Sequence, residues 1–260
     1  MGLARPTVGI VGGTGKMGSW LARLLESQGL KVLRASRSTD LTPQEMAGQS
    51  HVVVISVPIA DTIKVIQEVG PLVPEHGLLM DLTSLKKAPL EAMLNCSRSE
   101  VLGAHPLFGP EEKPPKRHTV AICPGRGETG MKWLTGVLKK AGIKVLVMDP
   151  EEHDRKMGLI QGVNHFSTLA LALCISQSGF RFKDIMDCST HTFRRRLDRI
   201  RSIMMQPPEL FESLLMDNPQ ASEYIERYRR SVEGLIRITR DGDRKAFGEL
   251  FESLKKFFNT

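Results

Sequence analysis

The stretch VLGAHPLFGP (residues 101–110) ends an apolar run on a histidine, His105, held between Ala104 and Pro106. An imidazole at the lip of a buried strand is either a satisfied core side chain or a proton acceptor facing a site. Its titration range near neutrality suits the second role. Two other stretches bring partners for that chemistry. DLTSLKK (81–87) supplies Ser84 and Lys86, a hydroxyl and an ammonium, at the end of another strand-like run. GIVGGTGKMG (9–18) places Gly13, Gly15 and Gly18 in the spacing GxGxxG. Between a strand and a helix, such glycines allow a tight turn and a close approach of backbone to a pyrophosphate at the helix N-terminus. A neutral base beside a nicotinamide can take an O–H proton as hydride leaves the same carbon, which is dehydrogenase chemistry with no metal required. The expected cofactor contacts are Gly13, Thr14, Gly15, Lys16, Met17 and Gly18, with Ser56, Val57 and Pro58 after a third strand.

The residues at the end of the second strand choose the nucleotide. An NAD site carries an acid there, about 20 residues past the glycines, to accept from the ribose 2′-hydroxyl. Here the chain reads RASRSTD, and Ser36, Arg37 and Ser38 occupy the place of the acid. Hydroxyls and a guanidinium suit a 2′-phosphate. NADP is therefore expected over NAD, with Asp40 returning the preference to NAD if the strand runs one turn longer.

The elements that must position these groups alternate over the first 150 residues. Strand-like runs at TVGIV, LKVLRAS, SHVVVISVP, GLLMDLT, VLGAH, TVAICP and IKVLVMD are interleaved with helical periodicity. Continuous β-branched runs such as VVVIS are buried on both faces, as in a parallel sheet. The reading is α/β: an N-terminal doubly wound Rossmann domain over 1–150, then an all-α domain over 151–260 with breaks near Gly179, Pro207-Pro208 and Pro219. In such sheets, ligands bind beyond the carboxyl ends of the strands, where Ser56, Ser84 and His105 converge.

Composition bounds the partners. The 260 residues carry a net charge of +7, with 41% hydrophobic, 25% charged and 5% aromatic residues. The basic balance suits a small anionic substrate; the scarcity of aromatics and the lack of a recognition motif argue against nucleic acid. Cys96, Cys123, Cys174 and Cys188 are scattered and form no CxxC, as expected of reduced thiols in a cytoplasmic protein. No signal peptide is expected before the first strand. FSTLALALCI (166–175) falls short of the roughly 20 residues that span a bilayer, so no membrane partner is expected. The apolar excess on helices near 156–178 and 222–258 predicts a homodimer.

Taken together, GGTGKMG, VVVISVPI, MDLTSLKKAPLEAML, LGAHPLFGP, EEHDRKMGLIQGVNHF and TFRRRLDRI with QPPELF resemble the prephenate and arogenate dehydrogenases of tyrosine biosynthesis, over most of the chain. The resemblance implies that His105 accepts the ring hydroxyl proton and that Ser84 orients the pair. It places Lys86, His153, His165 and Arg194 near the substrate. A second arginine expected two turns after Arg194 falls on Ser202 by ungapped counting, with Arg201 the neighbouring candidate. Prephenate is expected over arogenate, because arogenate's ammonium would need a carboxylate partner where it is buried. The segment facing the substrate is rich in arginine, and Asp198 is its lone acid. A β-hydroxyacid dehydrogenase or a non-enzymatic NADP-sensing regulator on the same scaffold remains open on fold alone. No fused chorismate mutase and no C-terminal regulatory domain are expected within these 260 residues.

Overall fold

The computed structural model describes residues 5–109 and 118–259; Pro110, the last residue of the HPLFGP stretch, lies outside the described residues. Seven strands form one sheet: β1 (Val8–Val11), β2 (Val32–Ala35), β3 (Val52–Ile55), β4 (Leu78–Asp81), β5 (Glu100–Pro106), β6 (Thr119–Arg126) and β7 (Lys144–Val147). Their order is β2-β1-β3-β4-β5-β6-β7. Helices α1 (Lys16–Ser27), α2 (Pro43–Gly48), α3 (Ile59–Val69), α4 (Lys87–Cys96) and α5 (Thr129–Lys140) connect them.

Burial on both faces is explained by the strand period of two. Val52 and Val54 of β3 pack with Ile10, Met80, Leu21 and Leu25 of α1, and Leu134 of α5. Val53 and Ile55 point the other way, into Met46 of α2, Ile66 of α3 and Met93 of α4. Sequential winding to both sides of β1 makes the β1/β3 boundary a switch point, the place where a crevice opens in such sheets. The ladder continues past the strand ends there: the Ser56 amide donates to Val11 O at 2.9 Å and the Gly12 amide to Ala35 O at 2.7 Å.

The sheet departs from all-parallel winding at one point. β5 and β6 pair antiparallel, while every other pairing is parallel. A parallel pair needs a crossover of a dozen or more residues, usually helical. VLGAH and TVAICP have no helical pattern between them, so the chain turns back on itself. This leaves β5 parallel to β4 and delivers His105 to the same rim as the ends of β1, β3 and β4.

The chain divides into two compact units. One runs to Met157 and takes in Gln206–Leu214; the other comprises Gly158–Met205 and the residues from Leu215 onward. Sequence composition draws the line at Pro150, whereas α6 (Pro150–Met157) goes with the sheet. The helical unit contains a π-helical segment (Gly158–Val163), α7 (Asn164–Ser176), α8 (Phe182–Asp187), α9 (His191–Met204), α11 (Pro219–Arg240) and α12 (Arg244–Phe258), with α10 (Pro208–Met216) lying across the division. Gly158 and Gly162 let α11 approach closely: a Cβ on either would come within 2.9 Å of Gln220 or Ala221.

The helix Pro150–Ser176 corrects one expectation. It is 27 residues long and carries a window that is by length and composition apolar enough to cross a membrane, 11% of it buried. The short apolar run understated it because the helix begins well before that run and takes in Leu159, Ile160 and Val163. No residue of α7 or α12 is buried.

Candidate active site

The glycine turn after β1 has the shape a pyrophosphate needs. Gly12 takes φ +77°, and a Cβ there would lie 2.2 Å from Ser56 O. On Gly18 a Cβ would lie 2.4 Å from Gly12 O, so this glycine sets how tightly α1 packs on the turn. Gly15 caps α1 with no side-chain hydrogen bond, and the first-turn amides of a helix want an acceptor from outside it. Thr14, Gly15 and Lys16 are exposed along this turn. Met17 differs: its side chain packs against the core, leaving backbone as its possible contribution to a ligand. Gly12, the residue in the left-handed region, was not among the expected contacts, although the doubled glycine marks it.

β2 ends at Ala35, so Ser36, Arg37 and Ser38 directly follow the strand and Asp40 lies beyond them. The turn is held by Thr39, whose hydroxyl accepts from the Ser36 amide at 2.8 Å. Ser36 and Ser38 hydroxyls lie 3.0 Å apart. The Arg37 side chain is 95% exposed and touches Asp61 of α3 at 3.4 Å. Ser56 and Val57 are half-buried at the end of β3, and Pro58 caps α3.

The second cluster lies at the ends of β4 and β5. His105 is 3% exposed, and its Nδ1 sits 2.9 Å from Nε2 of His153, itself fully buried on α6. His153 Nδ1 lies 2.8 Å from Asp154 Oδ1. That carboxylate also receives the backbone amides of Lys86 at 2.9 Å and Lys87 at 3.0 Å. Burial first, then the nearby His153 and Lys86, hold the His105 imidazole well below its ordinary range. The ring is neutral near pH 7, as a base must be.

Two expected roles change. Lys86 was expected near the substrate, but its side chain is fully buried: the ammonium pairs with Asp81 and donates to Ala104 O at 2.9 Å. An ammonium closed off in this way braces β4 against β5 and cannot reach a ligand. His153 was expected at the substrate, and it too has no exposed surface; it contacts His105 instead. Ser84 is half-buried at the rim, and among the described residues its hydroxyl has no hydrogen-bond partner, His105 included.

The remaining expected residues belong to the helical unit. His165 is half-buried on α7, its pKa lowered by burial and by Arg199. Arg194 donates to Met186 O at 2.7 Å. Arg201 lies over the Phe182 ring at 5.8 Å and, with Asp198, lines a largely apolar groove of about 680 Å³. Asp154, like Gly12, is a candidate site residue that sequence reasoning missed. The adjacent His-Asp pair in EEHDRKM was its available signal.

The comparisons with known proteins agree on the family. Residues 31–148 match the nucleotide-binding domain of prephenate dehydrogenase and residues 149–256 its dimerization domain. A probable arogenate/prephenate dehydrogenase of Methanocaldococcus jannaschii is 31% identical over 273 residues, covering 98% of this chain and 61% of that protein. The T-protein of Haemophilus influenzae is 31% identical over 249 residues, covering 96% of this chain and 66% of that one. The chain thus spans about two thirds or less of these relatives' length. Among solved structures, prephenate dehydrogenase from A. aeolicus, in complex with hydroxyphenyl propionate and NAD+, superposes with a TM-score of 0.80 at 19% identity, covering 99% of each chain. Synechocystis arogenate dehydrogenase gives a TM-score of 0.74 at 18% identity, covering 97% of this chain and 99% of that one.

Proposed function

Because the chain belongs to the prephenate and arogenate dehydrogenase family, we propose that it catalyses the oxidative decarboxylation of prephenate to 4-hydroxyphenylpyruvate, with NADP as hydride acceptor. The observation that carries the reading is a buried, neutral His105 on the rim shared with the glycine turn. A bound dinucleotide would supply an oxidised nicotinamide, and Gly12, Gly13, Gly15 and Gly18 with the first turn of α1 would hold its pyrophosphate.

Hydride leaves the ring carbon that carries the hydroxyl, and His105 takes the hydroxyl proton as the ketone forms. The bond to the ring carboxylate then breaks, CO2 departs, and its electron pair aromatises the ring. As the ring becomes aromatic the ketone oxygen becomes a phenolate and takes the proton back from His105. The substrate loses one hydride and one CO2 overall, His105 ends neutral, and 4-hydroxyphenylpyruvate leaves. Ser84, with its hydroxyl uncommitted among the described residues, is suited to hold the substrate oxygen beside His105. His165, Arg194 and Arg201 are the groups we assign to the substrate's carboxylates. NADP is preferred on the strength of Ser36, Arg37 and Ser38 directly after β2, with NAD as the alternative.

Arogenate is a second reading, supported by Asp198, whose carboxylate lines the groove beside Arg201 and suits an ammonium. Purified protein is assayed with each substrate for equimolar CO2 and reduced nucleotide. Prephenate should be turned over with the higher kcat/KM, and Asp198→Asn should leave that order intact. A preference for arogenate that vanishes in Asp198→Asn reverses the substrate, and no turnover of either removes the function.

A homodimer is proposed for the helical unit, on its match to a dimerization domain and the exposed apolar faces of α7 and α12. A second copy, rather than a bilayer, covers them on this reading. The cysteines are unpaired among the described residues, in keeping with the cytoplasmic location we propose.

A further inference from the structure

A histidine serves as a base through the nitrogen that carries the lone pair, and the hydrogen bond at its other nitrogen decides which one that is. Here the decision can be traced through Asp154. Its Oδ1 faces the Lys86 amide at 2.9 Å and its Oδ2 the Lys87 amide at 3.0 Å. Backbone amides only donate, so both oxygens must accept, and an ionised carboxylate is what accepts on both. His153 Nδ1, 2.8 Å from Oδ1, must then carry a proton. In a neutral His153 the lone pair falls on Nε2, which faces His105 Nδ1 at 2.9 Å. His105 Nδ1 must in turn donate, which leaves the lone pair on its Nε2.

We propose that Asp154 and His153 are positioning residues that fix the Nδ1–H tautomer of His105 and keep its Nε2 as the proton-accepting atom. The chain starts from amides at the N-terminus of α4 and ends at β5. The segment that carries Lys86, the brace between β4 and β5, thereby also sets the protonation of the base. Among the described residues, the charged and titratable groups around the pair include Asp154 on α6, Lys86 before α4, Asp81 at the end of β4 and the Cys123 thiol on β6, which burial pushes up. Asp81 and Lys86 compensate each other, and the Asp154 carboxylate acts on the proton of His153. An asparagine at 154 cannot reproduce the arrangement. With its oxygen toward His153, its NH2 meets the Lys87 amide donor to donor. Flipped, it donates to His153 Nδ1, and both histidines reverse.

The proposal depends on the dehydrogenase reading for the source of the proton, and not for the tautomer itself. The experiment is therefore nitrogen NMR of the unliganded protein labelled with 15N-histidine, with His105 signals assigned by their loss in His105→Asn. Native protein should show His105 and His153 each protonated on Nδ1 and unprotonated on Nε2 at neutral pH. Asp154→Asn should shift His105 toward the Nε2–H form or a mixture. It should also lower kcat by roughly 10²–10⁴-fold, the range for lost general base catalysis, with the KM for the dinucleotide unchanged. A native His105 protonated on Nε2, a doubly protonated His153, or Asp154→Asn spectra with both rings unchanged would overturn it. If Asp154→Asn does not fold, the native spectrum alone decides. The predicted native tautomers without turnover of prephenate or arogenate would uphold the positioning and refute the dehydrogenase reading.

Discussion

Residue types and spacing pointed to a candidate base and a glycine turn but not to what surrounds them. His105 was legible because a strand end, a proline and two further rim segments place an imidazole where ligands bind. For Lys86, sequence shows an ammonium near a site, whereas only the fold shows that Asp81 closes over it. His153 and Asp154 were obscured because the contact that matters crosses from α6 to β5, far along the chain. Arg37 is a case where both levels agree on placement. It stands after β2 with an exposed guanidinium and a loose contact to Asp61. Arg37→Ala should raise the KM for NADP and leave that for NAD nearly unchanged in steady-state assays. An equal rise for both nucleotides would remove Arg37 from the 2′-phosphate.

At the scale of elements, the alternation of strand and helix was readable because β-branched runs and helical periodicity differ in period. The reversal at β6 was carried by an absence in the sequence, the lack of a helical pattern between VLGAH and TVAICP, which is easily passed over in a βαβ series. The brace between β4 and β5 was not readable at all, since a lysine in a loop gives no sign of burial. Its energetics follow from its geometry. With the Asp81 and Lys86 side chains both fully buried, Lys86→Met leaves Asp81 buried without its counter-charge. Removing one partner of such a pair costs about 3–5 kcal/mol. Urea unfolding of Lys86→Met should show that loss, and a stability within 1 kcal/mol or so of native would return Lys86 to a surface role.

For the whole molecule, the sheet unit is well buried while the helical unit leaves large apolar side chains outside. Phe247, Phe251, Leu254 and Phe258 of α12 are 47, 52, 46 and 76% exposed and recur at helical spacing along one stripe. A lone chain gains nothing from such a stripe, and a second copy would bury it. Sedimentation should give a dimer at micromolar protein, with Phe251→Glu shifting it toward monomer; a native monomer would leave the stripe without its proposed cover. The helical unit's role was legible only as apolar excess, since periodicity shows that a face needs a partner without showing which.

Charge and burial together give the account its most direct test, the pH dependence of kcat/KM for prephenate in native protein and in His105→Asn. His105 is held below the ordinary imidazole pKa of about 6.5 by burial, with His153 and Lys86 adding to it. The base therefore stays neutral as pH falls through that value, and the acid limb of the native profile should lie below it. The same shift means that the unfolded chain binds this proton first, so His105 makes stability fall as pH drops below about 6.5. His105→Asn should lose the limb and roughly 10²–10⁴-fold in rate while still binding the dinucleotide. A mutant with near-native kcat/KM and an unchanged acid limb would contradict the assignment of His105 as the base.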